Sequence, residues 1–372
     1  MEDLVKIEEK HKIKFLDTVR AGATVAVFLF HMGYLFITGY PDTIIQWQRM
    51  VYFGGTVGVS VFFVLSGFLL FYQLYKNEEP LTKERLQEYI QKRLLRILPL
   101  YYLSLLCIAL VLKYDIFWST EGFKSIVYNL LFLREIKSGG SQGIIPINPV
   151  YWSLVVEMHF YILLPIFYSI FYKYKKAILF LLPILLGLLY RVILVFVVKD
   201  PSMQFLRFTP ANFDFFALGM FGAYIYVKRK DLVQKLGDYK LQILFVILFL
   251  ACVRFYDFEF SPTFAYIAAP IILGILTVVS ILSFLGNDRT LLSRALTVTP
   301  VMFIAKISFS IYVWHPVVFE YVEKMSIVQS NSSKIILNTI ITLIISTITY
   351  YAIEAPFLRL KRKKAEYVQE LP

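Results

Sequence analysis

The stretch LDTVRAGATVAVFLFH, residues 16–31, is an apolar run long enough to form most of a membrane span, yet it contains Asp17, Arg20 and His31. In an α-helix, at about 100° per residue, these three side chains lie on one face. His31 is about 16 Å further along the helix axis than Arg20, at about 1.5 Å per residue. The stretch therefore predicts a polar stripe along the first span, with an Asp17–Arg20 pair at one end and His31 at the other.

Ionisable side chains inside a span are energetically expensive and usually mark a functional site. The structural alternative is an interfacial salt bridge between Asp17 and Arg20 and an interhelical hydrogen bond from His31. Because all three side chains share one face, the functional interpretation is favoured. The stripe is predicted to line a path from the cytoplasmic end of the span toward the middle of the membrane.

The composition predicts a membrane protein. The chain has 372 residues, of which 58% are hydrophobic and 17% aromatic, and its mean hydropathy is +0.65. A soluble chain of this length would be less apolar. Cys107 and Cys252 lie in apolar runs, so neither a disulfide framework nor a thiolate metal site is predicted. The predicted fold class is an all-α polytopic protein of the cell membrane. Its ten predicted spans are 15–38, 51–75, 98–117, 151–172, 177–198, 209–227, 241–256, 262–285, 300–322 and 335–357.

The charged loops predict the orientation of the chain. Most of the 38 Lys and Arg residues fall in alternate loops, which the positive-inside rule assigns to the cytoplasm together with both termini. The net charge of +12 is therefore a topology signal and a surface for anionic lipids, and no basic soluble domain is left to bind nucleic acid. The predicted organisation is a cytoplasmic segment 1–14, a transmembrane domain 15–358 and a basic cytoplasmic tail 359–372.

The cytoplasmic segment TKERLQEYIQKRLLRI, residues 82–97, predicts an amphipathic helix between the second and third spans. Thr82 is a suitable N-cap, and apolar residues recur at helical spacing, so the helix can lie along the membrane surface. Arg93 falls inside the apolar stripe and Arg96 lies beside Tyr89, which turns both guanidinium groups toward the protein. Two arginines at this spacing suit a phosphorylated ligand, since guanidinium binds phosphate bidentately. The alternative is contact with lipid headgroups.

Further polar side chains lie at membrane depth in other predicted spans. They are Ser153, Glu157 and Tyr161 on one face of the fourth span, Ser308, Tyr312 and His315 on the ninth, and Glu354 on the tenth. Ser66 accompanies glycines in the second span and is interpreted first as a helix-packing residue. A histidine, carboxylates and arginines suit acyl transfer or proton-coupled transport, and no metal-ligand motif accompanies them.

Six stretches, in their order and spacing, resemble the membrane acyltransferase-3 family. They extend over residues 14–358 and are LDTVRAGATVAVFLFH, SVFFVLSGFLL, RLLRILPLYY, YWSLVVEMHFY, ISFSIYVWHPVV and YYAIEAPF. Each stretch is weak by itself, and their combined order is specific. The resemblance implies a ten-span enzyme without a metal that moves an acyl group, usually acetyl, from cytoplasmic acyl-CoA. The implied acceptor is a hydroxyl of a cell-surface polysaccharide, a lipid-linked sugar or a related molecule.

The resemblance also implies roles for individual residues. His31 matches the family's essential histidine, and Arg20 matches its paired arginine. The candidate catalytic residues are Asp17, Arg20, His31 and Glu157; the candidate coenzyme A ligands are Arg93 and Arg96; and the supporting residues are Ser66, Ser153, Tyr161, His315 and Glu354. The chain departs from the usual family pattern at Thr18–Val19 and at Met158–His159. Many relatives carry an extracytoplasmic esterase-like domain, which is not expected here, so a separate extracytoplasmic protein is an alternative recipient of the acyl group.

A transporter or flippase of a glycan or lipid is the main rival interpretation, because it would use the same polar path for proton coupling. Neither an internal repeat nor a pair of broken helices is evident in the sequence, which disfavours transport. A third interpretation, a non-catalytic membrane scaffold, leaves the polar face of the first span unexplained.

Overall fold

The computed structural model describes residues 2–36, 42–137, 147–199, 203–255, 262–325 and 330–360. Within these ranges the chain forms helices and no strand, which confirms the predicted all-helical fold class. The first nine α-helices are α1 Glu2–Phe36, α2 Asp42–Tyr75, α3 Lys83–Cys107, α4 Tyr114–Trp118, α5 Thr120–Leu130, α6 Arg134–Lys137, α7 Tyr151–Tyr174, α8 Leu181–Val192 and α9 Met203–Leu206. The remaining eight are α10 Phe213–Lys228, α11 Lys230–Leu236, α12 Tyr239–Phe255, α13 Pro262–Gly286, α14 Leu291–Leu296, α15 Thr299–Lys306, α16 Ser308–Lys324 and α17 Asn331–Thr349.

Shorter helical turns extend several of these helices. π-helical turns follow α3, α8 and α17 at Ile108–Leu112, Ile193–Val198 and Tyr350–Glu354. 3-10 turns precede α8 and α10 at Ala177–Phe180 and Thr209–Asn212. The predicted tail 359–372 falls mostly outside the described residues, which end at 360.

Among the described residues, seven helices are long and apolar enough to cross a membrane, and two bent helix pairs raise the number to as many as nine. These nine candidates coincide with nine of the ten predicted spans. The tenth prediction, 209–227, falls on α10, which has 16 residues and is shorter than a usual span. The bent pairs are α11 with α12, which meet at 77°, and α15 with α16. The sequence analysis disfavours transport partly because no pair of broken helices is evident in the sequence. The two bent pairs in the structure weaken that argument.

The third span begins earlier than the sequence predicts. The segment 82–97 is not a separate helix, because α3 continues through it and through Pro99. Residues 82–97 include no glycine or proline that would end the helix. Thr82 is the N-cap, as predicted, and its side chain accepts a hydrogen bond from the backbone N–H of Arg85. The candidate span accordingly extends over Lys83–Leu112.

The chain divides into two compact units. The first comprises Met1–Pro80 and Ile166–Ser308, and the second comprises Leu81–Pro165 and Phe309–Pro372. Among the predicted site residues, those of α1 and α2 belong to the first unit and those of α3, α7, α16 and the tenth span belong to the second.

In the first unit, α2 packs against both α1 and α10. Glycines allow the backbones to approach closely. A Cβ at Gly58 would lie 2.7 Å from the carbonyl oxygen of Ala23, and a Cβ at Gly219 would lie 2.8 Å from a backbone nitrogen of α2. The segment 58–70 is therefore a helix-packing surface, as predicted, and Ser66 lies half-buried in it.

In the second unit, side-chain hydrogen bonds connect helices across the core. Ser104 of α3 and Tyr151 of α7 share a hydrogen bond of 2.7 Å between their hydroxyl oxygens. Asn148 Nδ2 donates to the carbonyl oxygen of Val313 on α16 at 2.8 Å. Such bonds stabilise helix packing where water is scarce.

Candidate active site

The entrance of the predicted path is formed by an ion pair on α1. Arg20 Nη1 lies 2.5 Å from Asp17 Oδ1, and both side chains are partly exposed. The Thr24 hydroxyl donates to the Arg20 carbonyl oxygen at 2.9 Å, and Thr24 is almost completely buried. The predicted i,i+3 pair is therefore present, and one helical face carries both charges and the threonine.

His31 has one ring nitrogen fixed by the helix that carries it. Its Nδ1 lies 3.0 Å from the carbonyl oxygen of Val27. A carbonyl oxygen can only accept, so Nδ1 carries a proton in this contact. In the neutral ring the lone pair is then on Nε2, the atom that can take a proton from a hydroxyl. The ring also contacts Phe30 edge to face, with centroids 4.9 Å apart.

Arg207 is a second cation of the first unit that sequence reasoning did not single out. It lies close enough to His31 for a Coulomb interaction between the two side chains. Its place between two predicted spans gave no sequence signal beyond its charge.

In the second unit, Glu157 and Arg93 belong to one cluster between α3 and α7. The Tyr161 hydroxyl donates to Glu157 Oε1 at 2.5 Å, and the Tyr161 carbonyl oxygen accepts from the Tyr89 hydroxyl at 3.2 Å. The Arg93 guanidinium lies 6.0 Å from the centroid of the Tyr89 ring. Arg96 and Glu157 are both within range of a Coulomb interaction with Arg93.

The sequence predicts that the guanidinium groups of Arg93 and Arg96 turn toward the protein. Arg93 does so, since it belongs to this cluster and is only 5% exposed. Arg96 is half-buried and therefore the more accessible of the two. Of the apolar residues that share the predicted stripe, Ile90 and Leu94 are exposed, whereas Tyr89 is buried. The helix therefore presents Arg93 together with Tyr89 toward the protein.

Ser153 and His315 lie in a second buried group. Ser153 shares a short hydrogen bond with the hydroxyl of Tyr312, which in turn lies 3.4 Å from the carbonyl oxygen of Val150. His315 is 1% exposed, and its Nδ1 donates to the carbonyl oxygen of Ile311 at 2.9 Å. The Ser153, Glu157 and Tyr161 face predicted on α7 thus has two different sets of contacts.

Glu354 is buried at a π-helical turn. Its carboxylate accepts a short hydrogen bond from Ser310, whose hydroxyl oxygen also accepts from Thr349 at 3.2 Å. Arg96 is within range of a Coulomb interaction with Glu354. Single π-helical turns inside α-helices often occur at functional sites, which fits a carboxylate held in place there.

The comparisons with known proteins concern the chain as a whole. A family model described as an acyltransferase domain matches residues 13–352. The chain belongs to this acyltransferase family. The match confirms the resemblance predicted from the six stretches, and it includes all of the candidate site residues except Glu354.

Two bacterial relatives resemble the chain over most of its length. It is 27% identical over 368 residues to a peptidoglycan O-acetyltransferase OatA of Listeria monocytogenes, covering 92% of this chain and 55% of that protein. It is 24% identical over 399 residues to an O-acetyltransferase OatA of Staphylococcus aureus, covering 99% of this chain and 62% of that protein. The chain therefore spans little more than half the length of these relatives. No solved structure matches it.

The chain also contains a buried ion pair that sequence reasoning missed. Arg191 Nη2 lies 2.6 Å from Asp214 Oδ2, Nη1 lies 3.0 Å from Oδ1, and Nη1 also donates to the Ala211 carbonyl oxygen at 2.6 Å. The two side chains are 2% and 0% exposed. Opposite charges in consecutive predicted spans were the available signal.

A polar stripe on α17 was also missed. Asn338, Thr342 and Ser346 recur every four residues and are buried. Their side-chain polar atoms have no hydrogen-bond partner among the described residues. Among all the residues that the structure describes, no group of three or more His, Cys, Asp and Glu side chains is arranged to hold a metal ion.

Proposed function

We propose that this acyltransferase moves an acetyl group from cytoplasmic acetyl-CoA to a hydroxyl of a cell-wall glycan outside the membrane. Family membership and the names of the relatives in Listeria and Staphylococcus support this reaction class. The observation that carries the proposal is the oriented imidazole of His31, which shares one helical face with the Asp17–Arg20 pair. In this proposal both termini are cytoplasmic and the chain is a multi-pass protein of the cell membrane.

The proposed chemistry uses His31 as a general base. Nε2 takes the proton of the acceptor hydroxyl as its oxygen attacks the thioester carbonyl carbon, and the C–S bond then breaks. The thiolate leaves with the proton returned by the imidazolium, so the ring ends neutral. An acetyl-imidazole intermediate at the same nitrogen is the alternative order of steps. Arg207, the cation near His31, is proposed to stabilise negative charge that develops on the carbonyl oxygen.

The donor is proposed to enter at the Asp17–Arg20 end of the stripe. Arg93 and Arg96 are proposed to bind its phosphate groups, because guanidinium remains charged even in a site with little water. Burial of Arg93 beside Tyr89 supports a fixed guanidinium, and the half-buried Arg96 supports a reachable one.

Glu157 and the supporting residues are proposed to position other groups. The hydrogen bond from Tyr161 holds the Glu157 carboxylate in one orientation. Glu157 is then proposed to orient the acceptor or the base. Ser66, Ser153, His315 and Glu354 are proposed to maintain the helix contacts around the path. The acceptor is either the glycan itself, a lipid-linked sugar or a separate extracytoplasmic protein that completes the transfer.

The rival proposal is transport of an unmodified glycan or lipid. The two bent helix pairs are the structural observation in its favour, because transporters use interrupted helices. Purified protein in vesicles with labelled acetyl-CoA separates the proposals. Label that reaches the protein or an added peptidoglycan fragment supports the transferase. Movement of unmodified substrate without label transfer would instead support the transporter.

A further inference from the structure

The first unit contains a polar pocket that the proposed chemistry does not use. Its volume is about 800 Å³, and it lies where α2, α10 and α13 end and α11 begins. The side chains with the clearest binding chemistry are two tyrosines and three cations. These are Tyr72, Tyr226, Lys76, Lys230 and Arg289.

Three loops that the charge pattern assigns to the cytoplasm meet at this pocket. They follow α2, α10 and α13. Their convergence agrees with the predicted alternation of the spans, because each of these helices is predicted to end on the cytoplasmic side. The pocket is therefore expected to face the compartment that contains soluble nucleotides and acyl donors.

The loop that carries Arg289 is held by a buried glutamine. Gln242 is 1% exposed, and its Nε2 donates to the carbonyl oxygens of Ser283 and Asn287 at 3.1 and 2.8 Å. Its Oε1 accepts from the Thr290 hydroxyl at 2.9 Å. The amide therefore fixes both ends of the loop, so the position of Arg289 is set before a ligand binds.

A close backbone contact fixes α11, which forms another wall of the pocket, against the loop after α13. A Cβ at Gly237 would lie 2.7 Å from the carbonyl carbon of Gly286 and 2.9 Å from the backbone nitrogen of Asn287. Only glycine allows α11 and the loop after α13 to approach so closely. This contact places Lys230, at the beginning of α11, on the same pocket as Arg289.

The charges of the pocket favour an anion. Lys76 and Lys230 form no ion pair within the described part of the chain. Glu78, an acidic residue of the lining, instead forms a short ion pair with Lys228. Asp288 is then the remaining carboxylate among three cations.

The aromatic wall suits a ring. Tyr72 and Tyr226 are half-buried and contact each other edge to face with centroids 5.6 Å apart. Aromatic side chains of this kind stack on nucleobases without strong base preference. Cations for phosphate, tyrosines for a base and the amides of Asn77, Gln234 and Asn287 for a sugar edge together match a nucleotide.

The pocket lies beside the beginning of the α1 stripe. Phe15 stacks on Phe284 with ring centroids 4.1 Å apart, and Phe284 immediately precedes the pocket residue Leu285. The Thr18 hydroxyl donates to the Leu296 carbonyl oxygen at 2.9 Å, which fixes α1 against α14. The part of α1 around Asp17 thus packs on the helices that precede and follow the Arg289 loop, within the same unit.

We propose that this pocket binds the phosphorylated nucleotide end of the acyl donor. The identity of the ligand as coenzyme A rests on the proposed function, whereas binding of a nucleotide phosphate rests on the pocket alone. Coenzyme A carries phosphate on the ribose and in the diphosphate bridge. Lys76, Lys230 and Arg289 bind one of these groups.

The test uses adenosine 3′,5′-diphosphate and the full-length protein in detergent, with binding measured by calorimetry. Each of Lys230→Gln and Arg289→Gln is expected to weaken binding by roughly tenfold, since each removes a charge-assisted contact to phosphate. Lys76→Gln is a third variant in case either of the others is unstable. Unlabelled coenzyme A is expected to displace the probe.

The matched controls are Lys240→Gln and Arg294→Gln. Both residues are exposed, belong to the same predicted cytoplasmic loops and lie outside the pocket lining. They change the net charge equally and are expected to leave probe affinity unchanged. Equal losses in the control and pocket variants would overturn the proposal, because the effect would then come from net charge alone.

Two further outcomes separate this proposal from the proposed function. Pocket-dependent binding of the probe in a protein that never transfers acetyl would support the pocket and reject the transferase. Acetyl transfer with an unchanged KM for acetyl-CoA in the Lys230→Gln, Arg289→Gln double variant would reject the pocket and keep the transferase.

Vesicles of phosphatidylglycerol form a separate arm of the experiment. Pocket-dependent binding of these vesicles with no binding of the nucleotide would assign the pocket to lipid headgroups and overturn the proposal.

Discussion

At the scale of single residues, the ring of His31 is oriented by the backbone of the helix that carries it. The backbone carbonyl of Val27, one turn earlier, accepts from Nδ1, which leaves the lone pair of the neutral ring on Nε2. In many enzymes a carboxylate has this orienting function. Because the orienting atom belongs to the backbone, substitution of a neighbouring side chain does not remove it, and the histidine itself is the informative position to change.

We expect His31→Ala to reduce acetyl transfer by about 100-fold or more, since a positioned general base contributes roughly 10²–10⁴-fold. Transfer is measured with labelled acetyl-CoA and purified protein, with the melting temperature recorded for each preparation. His159→Ala is the matched control, because His159 contacts the Phe132 carbonyl oxygen and has no proposed part in the chemistry. Full activity in the folded His31→Ala protein would contradict the catalytic role.

At the scale of helices, the sequence predicts positions well and contacts poorly. Long apolar runs identify nine of ten predicted spans, because span length and hydropathy are local properties. The continuation of α3 through Pro99 depends on helix packing and is not visible in the apolar pattern. Likewise, the sequence shows Arg191 and Asp214 only as two separate charges in apolar segments, and the contact between α8 and α10 is needed to see that they form an ion pair.

The Arg191–Asp214 pair is expected to stabilise the contact between α8 and α10. Asp214→Ala leaves a buried guanidinium without its carboxylate, and such losses cost about 3–5 kcal/mol. An Arg191→Met, Asp214→Leu double variant removes both charges and is expected to recover much of this stability. Thermal unfolding in detergent measures the difference.

Asp231→Ala provides the control for that experiment. Its pair with Arg229 is exposed, so no measurable change in melting temperature is expected. Equal destabilisation by Asp214→Ala and by the double variant would mean that side-chain volume, and not the charge pair, stabilises the contact.

The α2–α10 crossing depends on the absence of a side chain at Gly219. In Gly219→Ala the new Cβ would lie 2.8 Å from the backbone nitrogen of Phe68, so the helices must separate. Overpacking of this kind costs about 1–3 kcal/mol. Gly22→Ala is the matched control, because a Cβ at Gly22 meets nothing within 4 Å and is expected to leave the melting temperature unchanged. An equal loss in both variants would contradict the packing argument.

At the scale of the whole molecule, the site residues predicted from the sequence divide between two compact units. The first unit contains Asp17, Arg20 and His31, and the second contains Arg93 and Glu157. Helical spacing could predict which residues share a face of one helix, since that depends on the helix repeat alone. It could not predict the contact between Tyr89 and the Tyr161 carbonyl oxygen or the polar pocket of the first unit, because both depend on residues from distant parts of the chain.

The topology can be tested by labelling single cysteines in a variant that lacks Cys107 and Cys252. Asn77 follows α2 and lines the pocket, and Lys235 lies in α11, whose Lys230 and Gln234 line the same pocket, so cysteines at the two positions are expected to report the same side. The charge pattern predicts that this side is cytoplasmic. A membrane-impermeant maleimide is therefore expected to label both only after the cells are permeabilised.

Lys199→Cys and Lys334→Cys are the counterparts that the charge pattern predicts to face outward, since both positions lie between predicted spans in segments with few basic residues. Both are expected to react in intact cells. Reaction of Asn77→Cys and Lys235→Cys from opposite sides would contradict the convergence of their loops, whereas reaction of both in intact cells would reverse the predicted orientation. A reversed orientation would place the Asp17–Arg20 end of the stripe outside, where cytoplasmic acetyl-CoA cannot reach it, and the donor route would then have to be abandoned.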